Sequence, residues 1–286
     1  MLKKYIRKIK KYFIKKAAAR KRQVILNKNI ELSNIHNGQR CFIIGTGPSI
    51  NTQDLKLLQN ENCIAMSQLY NHPDYNIIDP KYHIFSGVKI HSYLFSENVA
   101  VQYYQEVDSK IKEKTTLLIN YPDFNFIQEN KLLKNKKIHY FSCDKHYKKL
   151  LKEAINYPKS FYESQCVSVM AIQNAIAMGF KEIYLLGLDH DWILRMKDKI
   201  QANFYDSKQS VFGKNGVVEN WHVCDWRAVF KAQYILWDEY EHLKSYIKQN
   251  NIQIYNATNG GILEVFPRVK YETLFNVELS QIKKVF

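Results

Sequence analysis

The sequence contains no uninterrupted apolar run near the roughly 20 residues a helix needs to cross a bilayer, which argues against a helical membrane span. Its five cysteines, Cys41, Cys63, Cys143, Cys166 and Cys224, form no CxxC pair and are odd in number. This pattern argues against a disulfide framework and a zinc knuckle, and it fits a reducing compartment. The first residues lack the apolar core and small-residue cleavage site of a secretory signal, so the chain is expected in the cytoplasm. Acids are missing altogether from residues 1–22, which carry eleven lysines and arginines. Removing those eleven charges from the total of +15 leaves only +4 on the other 264 residues. The positive excess therefore belongs to one terminal segment. The body has the mixed charge of an ordinary solvated surface, and no RNA-recognition motif accompanies the basic segment, so nucleic acid is not an expected partner.

Within that segment Leu2, Tyr5, Ile6, Ile9, Tyr12 and Phe13 recur at intervals of three and four. As a helix, the segment carries one apolar-aromatic stripe flanked by lysines. This is the pattern of a helix lying on an anionic membrane surface, where each base is worth about 1 kcal/mol. Docking on its own domain is the plainer alternative. The expected organisation is a basic amphipathic membrane-association helix at 1–22, a polar connector at 23–39 and a catalytic domain at 40–286. The protein would then sit peripherally on the inner face of the membrane.

From Arg40 onward, short apolar runs alternate with helical ones. "RCFIIG", "CIAMSQLY", "YHIFSG", "TTLLIN", "KIHYFS", "EIYLLGLD" and "IQIYNAT" read as strands, "SINTQDLKLLQN" as a short helix, and "SVMAIQNAIAMGF" and residues 225–250 as longer helices. The order predicts an α/β, Rossmann-like fold with a mostly parallel sheet and helices on both faces. A polar insertion at about 192–221, between a strand end and the last long helix, reads as a small lid.

The run "CFIIGTGPSI" ends a buried strand in Gly45, Thr46, Gly47, Pro48 and Ser49. Glycines there let the backbone approach a ligand, and a helix N-terminus just beyond favours an anion. Ile50 stands where a dinucleotide fingerprint needs its third glycine, and no Walker lysine follows. At the end of the second strand Ser67 and Gln68 are placed to read a ribose or base. At the end of "YLLGLDHDW", Asp189, His190 and Asp191 open at the carboxyl edge of the sheet. Asp189 and Asp191 also read as an acidic pair for magnesium or manganese, the less favoured reading. Histidine suits proton abstraction near neutral pH. His222, after the lid, is the first candidate for a catalytic base and His190 the second. Asn256 and Thr258 could face the same crevice, and Arg268 could pair with an anion.

The blocks "GTGPSI", "AIQNAIAMGFKEIYLLGLDHDW" and "IYNATNGGILEVFPRVKYETLF" resemble a bacterial family named after MptE-like hydroxymethylpterin pyrophosphokinases and found in surface-polysaccharide contexts. The first two blocks are also similar to the CMP-sialic-acid-dependent sialyltransferases. The resemblance runs over about residues 40–275. It implies an inverting glycosyltransferase that moves a sugar such as sialic acid or a related nonulosonate from a CMP donor to a cell-envelope glycan, as in lipopolysaccharide or capsule biosynthesis. It also implies that His222 is the base, that a lid tyrosine such as Tyr205 assists the leaving phosphate, and that no metal or resident cofactor is required. Two positions depart from the sialyltransferase pattern: Thr46 and Ser67 stand where those enzymes carry asparagine. The alternatives are an ATP-dependent pyrophosphokinase acting on a pterin-like alcohol and a non-catalytic nucleotide-binding membrane adaptor. Oligomerisation is left open.

Overall fold

In β1, Arg40–Ile44, the apolar side chains alternate between two buried faces: Cys41 and Ile43 pack into one cluster, Phe42 and Ile44 into the other. A strand apolar on both faces belongs inside a sheet covered on both sides. The remaining strands are β2 Cys63–Met66, β3 Tyr82–Phe85, β4 Thr116–Asn120, β5 Ile138–Phe141, β6 Cys143–Lys145, β7 Phe161–Tyr162, β8 Glu182–Leu186 and β9 Gln253–Asn256. Of these, β2, β3 and β4 are likewise buried along their whole length. The computed structural model describes residues 2–89, 96–197, 202–206, 208, 210–215 and 225–275. Among the described residues seven strands form one sheet in the order β5-β4-β3-β2-β1-β8-β9, every pair parallel, while β6 and β7 form a two-stranded parallel ribbon apart from it. The expected α/β, Rossmann-like sheet is therefore present.

The helices are α1 Leu2–Asn27, α2 Tyr75–Ile78, α3 Glu97–Lys110, α4 Phe124–Glu129, α5 Val167–Ala177, α6 Trp192–Lys197, α7 Val211–Lys214 and α8 Trp226–Gln249. α5 and α8 cover one face through Ala171, Ile172, Leu236, Tyr240 and Leu243. α3 and α4 cover the other through Tyr104, Val107, Phe126 and Ile127. α5 is almost wholly buried and mostly apolar, and its buried Ser168, Gln173 and Asn174 are all hydrogen-bonded within the protein.

Two expectations about local structure need correction. The basic helix does not stop at residue 22: α1 runs to Asn27 and passes into a 3-10 turn, Lys28–Leu32. Leu26, Asn29 and Leu32 are buried there, and Asn29 bonds both the Tyr140 carbonyl and His139. The supposed connector thus begins as a cover for β5, the free edge of the sheet. The stretch after β1 is not an α-helix but two 3-10 turns, Pro48–Thr52 and Leu55–Leu58. Thr52 Oγ1 donates to the Ser49 carbonyl and Asp54 accepts from Lys56 N. These polar side chains compete for the backbone groups that a longer helix would use.

Candidate functional site

The chain leaves β1 toward β2, β3, β4 and β5, then returns to place β8 on β1's other side. The carboxyl ends of β1 and β8 therefore flank the point where the winding reverses, and ligands of open parallel sheets bind at such points. Gly45–Ser49 leaves one side of this point and Gly187–Asp191 the other. Gly45 N donates to the Leu186 carbonyl and Gly47 N to the Gly187 carbonyl, which stitches the turn to the end of β8.

Gly47 is required by proximity. A Cβ there would lie 1.8 Å from Asp189 Oδ2, although its φ of −62° suits any residue. The Asp189 carboxylate fills this space and accepts from Ser49 N at 3.2 Å and Ser49 Oγ at 2.7 Å. On its other side Gly261, with φ +70°, lets a second turn press on the Asp189 backbone, and Ile262 N donates to the Asp189 carbonyl. Burial pushes the Asp189 carboxyl above the usual range, an effect the Ser49 hydrogen bonds oppose and the nearby Asp191 charge reinforces. The glycine turn is thus not an empty phosphate cradle backed by a helix dipole. Its Ser49 amide is taken by an internal carboxylate, and a short 3-10 turn follows.

Asp191 is held bidentately by Arg195, at 2.8 and 2.7 Å. Between the two acids His190 adopts φ +52° and turns toward α8. Its Nε2 lies 2.9 Å from the Tyr240 hydroxyl, which meets Ser168 Oγ at 2.6 Å, and Ser168 in turn donates to Cys166 Sγ. Burial beside Trp237 and Tyr240 pushes the imidazole down to about 4. A histidine so depressed is a weak base at neutral pH. Next to Tyr240, Glu239 accepts from Gln165 N and Ser164 Oγ, which fixes the approach to α5, and burial pushes its carboxyl up to about 7.

The register of Ile44 opposite Ala65 carries Ser67 to the end of β2 beside the turn. Ser67 adopts φ +52°, and its carbonyl is held by His83 Nε2. Gln68 is buried, and neither its amide nitrogen nor the nearby Tyr70 hydroxyl makes a hydrogen bond of normal geometry within the protein. A buried donor without an acceptor is costly and is the kind of group a bound ligand satisfies. Residues 202–206 lie across the turn. Phe204 N donates to the Thr46 carbonyl, Thr46 Oγ1 to Asn203 Oδ1, and the Phe204 ring packs on His72. Tyr205 is half-buried, and burial pushes its hydroxyl up.

The structure therefore brings Gly45, Thr46, Gly47, Pro48, Ser49, Asp189, His190 and Asp191 together, with Ser67 and Gln68 at the adjoining strand end. His222 and part of the 192–221 insertion lie outside the described residues. Arg268 does pair with a carboxylate, that of Glu264 in its own turn, and it also donates to the carbonyls of Thr258, Gly260 and Gly261, so it acts as an internal staple. Asn256 and Thr258 likewise bond within their own turn and to Leu188 N. Sequence reasoning missed Glu239, Tyr240 and Trp237. Their signal was a glutamate on the buried face of α8, in step with Leu236, Leu243, Tyr246 and Ile247.

Among solved structures, the chain is similar to the sialyltransferase CstII from Campylobacter jejuni, determined in complex with a substrate analogue, cytidine-5'-monophosphate. The identity is 17%, the TM-score is 0.46, and the match covers 82% of this chain and 85% of that one. No curated protein matches. The family described as 6-hydroxymethylpterin diphosphokinase MptE-like matches residues 16–194, well over half of the sequence and including both flanks of the crevice, and the chain belongs to that family.

Proposed function

We propose that the protein is a transferase that binds a nucleotide at the β1/β8 crevice and moves a sugar, such as sialic acid or a related nonulosonate, from a CMP donor to a cell-envelope glycan. The observation that carries this reading is the state of the two strand-end acids: Asp189 is engaged by Ser49 and Asp191 by Arg195. A donor with a single phosphate asks for no divalent ion, so these acids can remain where they are. A nucleoside diphosphate or triphosphate held through a metal would draw on the same carboxylates. In this reading the buried Gln68 amide meets the nucleotide, and residues 202–206, bonded to Thr46, close over it. The acceptor hydroxyl attacks the anomeric carbon with inversion, and the bond from that carbon to the phosphate oxygen breaks, so that CMP leaves with the electron pair. The proton passes to His222, a role that the weak basicity of His190 supports by elimination between the two candidates. The basic stripe of α1 brings the enzyme to acceptors at the inner face of the membrane.

A second reading has its own support in the family description: pyrophosphoryl transfer from ATP to a pterin-like alcohol, with AMP as the leaving group. It requires magnesium and the release of Asp189 and Asp191 from Ser49 and Arg195. Thermal shift against CMP, CDP, UDP, GDP and ATP, each with and without magnesium, separates the two. Stabilisation by CMP in the presence of a chelator is expected, and stabilisation by ATP with magnesium alone contradicts it. Nucleotide binding without turnover of any donor leaves the adaptor reading. The His222→Ala variant should bind CMP and transfer nothing.

A further inference from the structure

A cavity lies well away from the crevice. It is a groove of about 800 Å³ between the end of α1, α4 and the free edge of the sheet at β5. β5 is four strands from β1, roughly 19 Å across the sheet at about 4.8 Å per strand. The volume falls within the roughly 300–1,000 Å³ of small-molecule sites. Its walls are apolar, with partly exposed Ile25, Phe124, Leu132 and Ile138. Lys28, Lys131 and Lys134 stand exposed on its rim and make no ion pair among the described residues, and no acid lines it. Lys136 also lines it but is committed elsewhere, donating to the Ile111 carbonyl and lying 3.7 Å from Asp108. Tyr140, 93% buried, contributes a hydroxyl that lacks a hydrogen-bond partner of normal geometry, although the Gln128 side chain is beside it.

An apolar trough with a cationic rim and a buried unsatisfied hydroxyl matches a molecule with a hydrocarbon body and an anionic head. Its orientation identifies the source. Val24 lines the groove and is 68% exposed, and Phe13 on the same helix is 61% exposed. Eleven residues separate them, within about 20° of three full turns, so both project from one face of α1 about 16 Å apart. The mouth of the groove therefore opens beside the border of the stripe formed by Tyr5, Ile9, Tyr12 and Phe13, on the edge marked by Phe13, along the same basic helix.

We propose that this groove is a binding site for a single anionic phospholipid, its headgroup phosphate among Lys28, Lys131 and Lys134 and the upper part of its acyl chain against Ile25, Phe124 and Ile138. The site does not depend on the chemistry at the crevice. It makes membrane attachment specific for anionic lipid, beyond the general attraction of the basic helix.

The test uses the full chain and dihexanoylphosphatidylglycerol below its micellar concentration, followed by isothermal titration calorimetry. One lipid should bind per chain, at least about tenfold tighter than dihexanoylphosphatidylcholine or inorganic phosphate. The double variant Lys131→Glu/Lys134→Glu should weaken binding about thirtyfold, from about 1 kcal/mol for each base removed. Tyr140→Phe removes only the unsatisfied hydroxyl, so it should fold normally and weaken binding by a few fold. Tyr12→Ala/Phe13→Ala should leave the monomeric lipid's affinity unchanged while reducing flotation with phosphatidylglycerol vesicles. Equal affinity for the two lipids, equal affinity for inorganic phosphate, no binding, or indifference to both groove variants would overturn the site.

Discussion

Asp189 and Asp123 form the same local device at two places in the sheet, and the contrast between them separates a clasp at the switch point from a wholly enclosed one. Each carboxylate leaves the end of one strand and caps amides in the glycine-containing loop of another. Asp189 passes from the end of β8 to Ser49, under Gly47. Asp123 passes from the turn after β4 to Val88 N and Lys89 N, beside Gly87. Asp123 is fully buried and gains a third donor in the Tyr104 hydroxyl. Asp189 has two donors, both from one residue, with Asp191 nearby and residues 203 and 204 bonded across the turn it supports. The first clasp is sealed on every side. The second sits at the topological switch point, where one side of its turn is anchored to the end of β8 and the other is bonded to residues 203 and 204.

The sharpest way to break the comparison is at Asp123. Asp123→Asn leaves an amide donor facing at least one donor in a dry site, and a loss of about 3 kcal/mol is expected from that donor losing its acceptor and the others losing a charged one. Urea denaturation measures this, and the molecules that remain folded should still bind nucleotide. Gly47→Ala reverses the balance. Its Cβ cannot coexist with Asp189 where it stands, so CMP affinity should fall on the order of a hundredfold in calorimetry, with a smaller loss of stability. Asp189→Asn keeps the shape but loosens Ser49. About tenfold weaker CMP binding and about 1 kcal/mol of stability are expected, the scale of one hydrogen bond.

The smallest effect is a pH dependence along α8. Glu239 has its carboxyl pushed up to about 7 in the fold from an ordinary 4.5. Its contribution to stability is therefore fully present below pH 4.5 and is lost as pH rises through 7. His190, pushed down to about 4 from 6.5, acts in the opposite sense, with stability present above pH 6.5 and lost as pH falls toward 4. The two slopes oppose each other between about pH 4.5 and 6.5, so Glu239→Gln should leave stability rising with pH across that window and His190→Gln should leave it falling, when denaturation is repeated across pH 4 to 8.

Much of this was legible in the sequence because strand ends announce themselves. An apolar run that breaks into Gly45-Thr46-Gly47, or into Asp189-His190-Asp191, marks the carboxyl edge of a parallel sheet without any knowledge of its neighbours. What periodicity could not reveal was which loop faces which acid. Asp123 and Val88 are 35 residues apart in sequence, and Ser49 and Asp189 are 140 apart. The short helix expected after β1 failed for a local reason: Thr52 and Asp54 offered the backbone other partners. The chain after residue 22 read as polar connector because the buried face formed by Leu26, Asn29 and Leu32 lasts only two turns and has a polar residue at its centre.

The most direct measurement of the central claim is calorimetric titration of the full-length protein with CMP in the presence of EDTA, repeated with the Gly47→Ala variant. One CMP per chain bound without metal, and lost in the variant, is the predicted result. Absence of CMP binding, together with tight binding of ATP that appears only when magnesium is restored, would contradict the account.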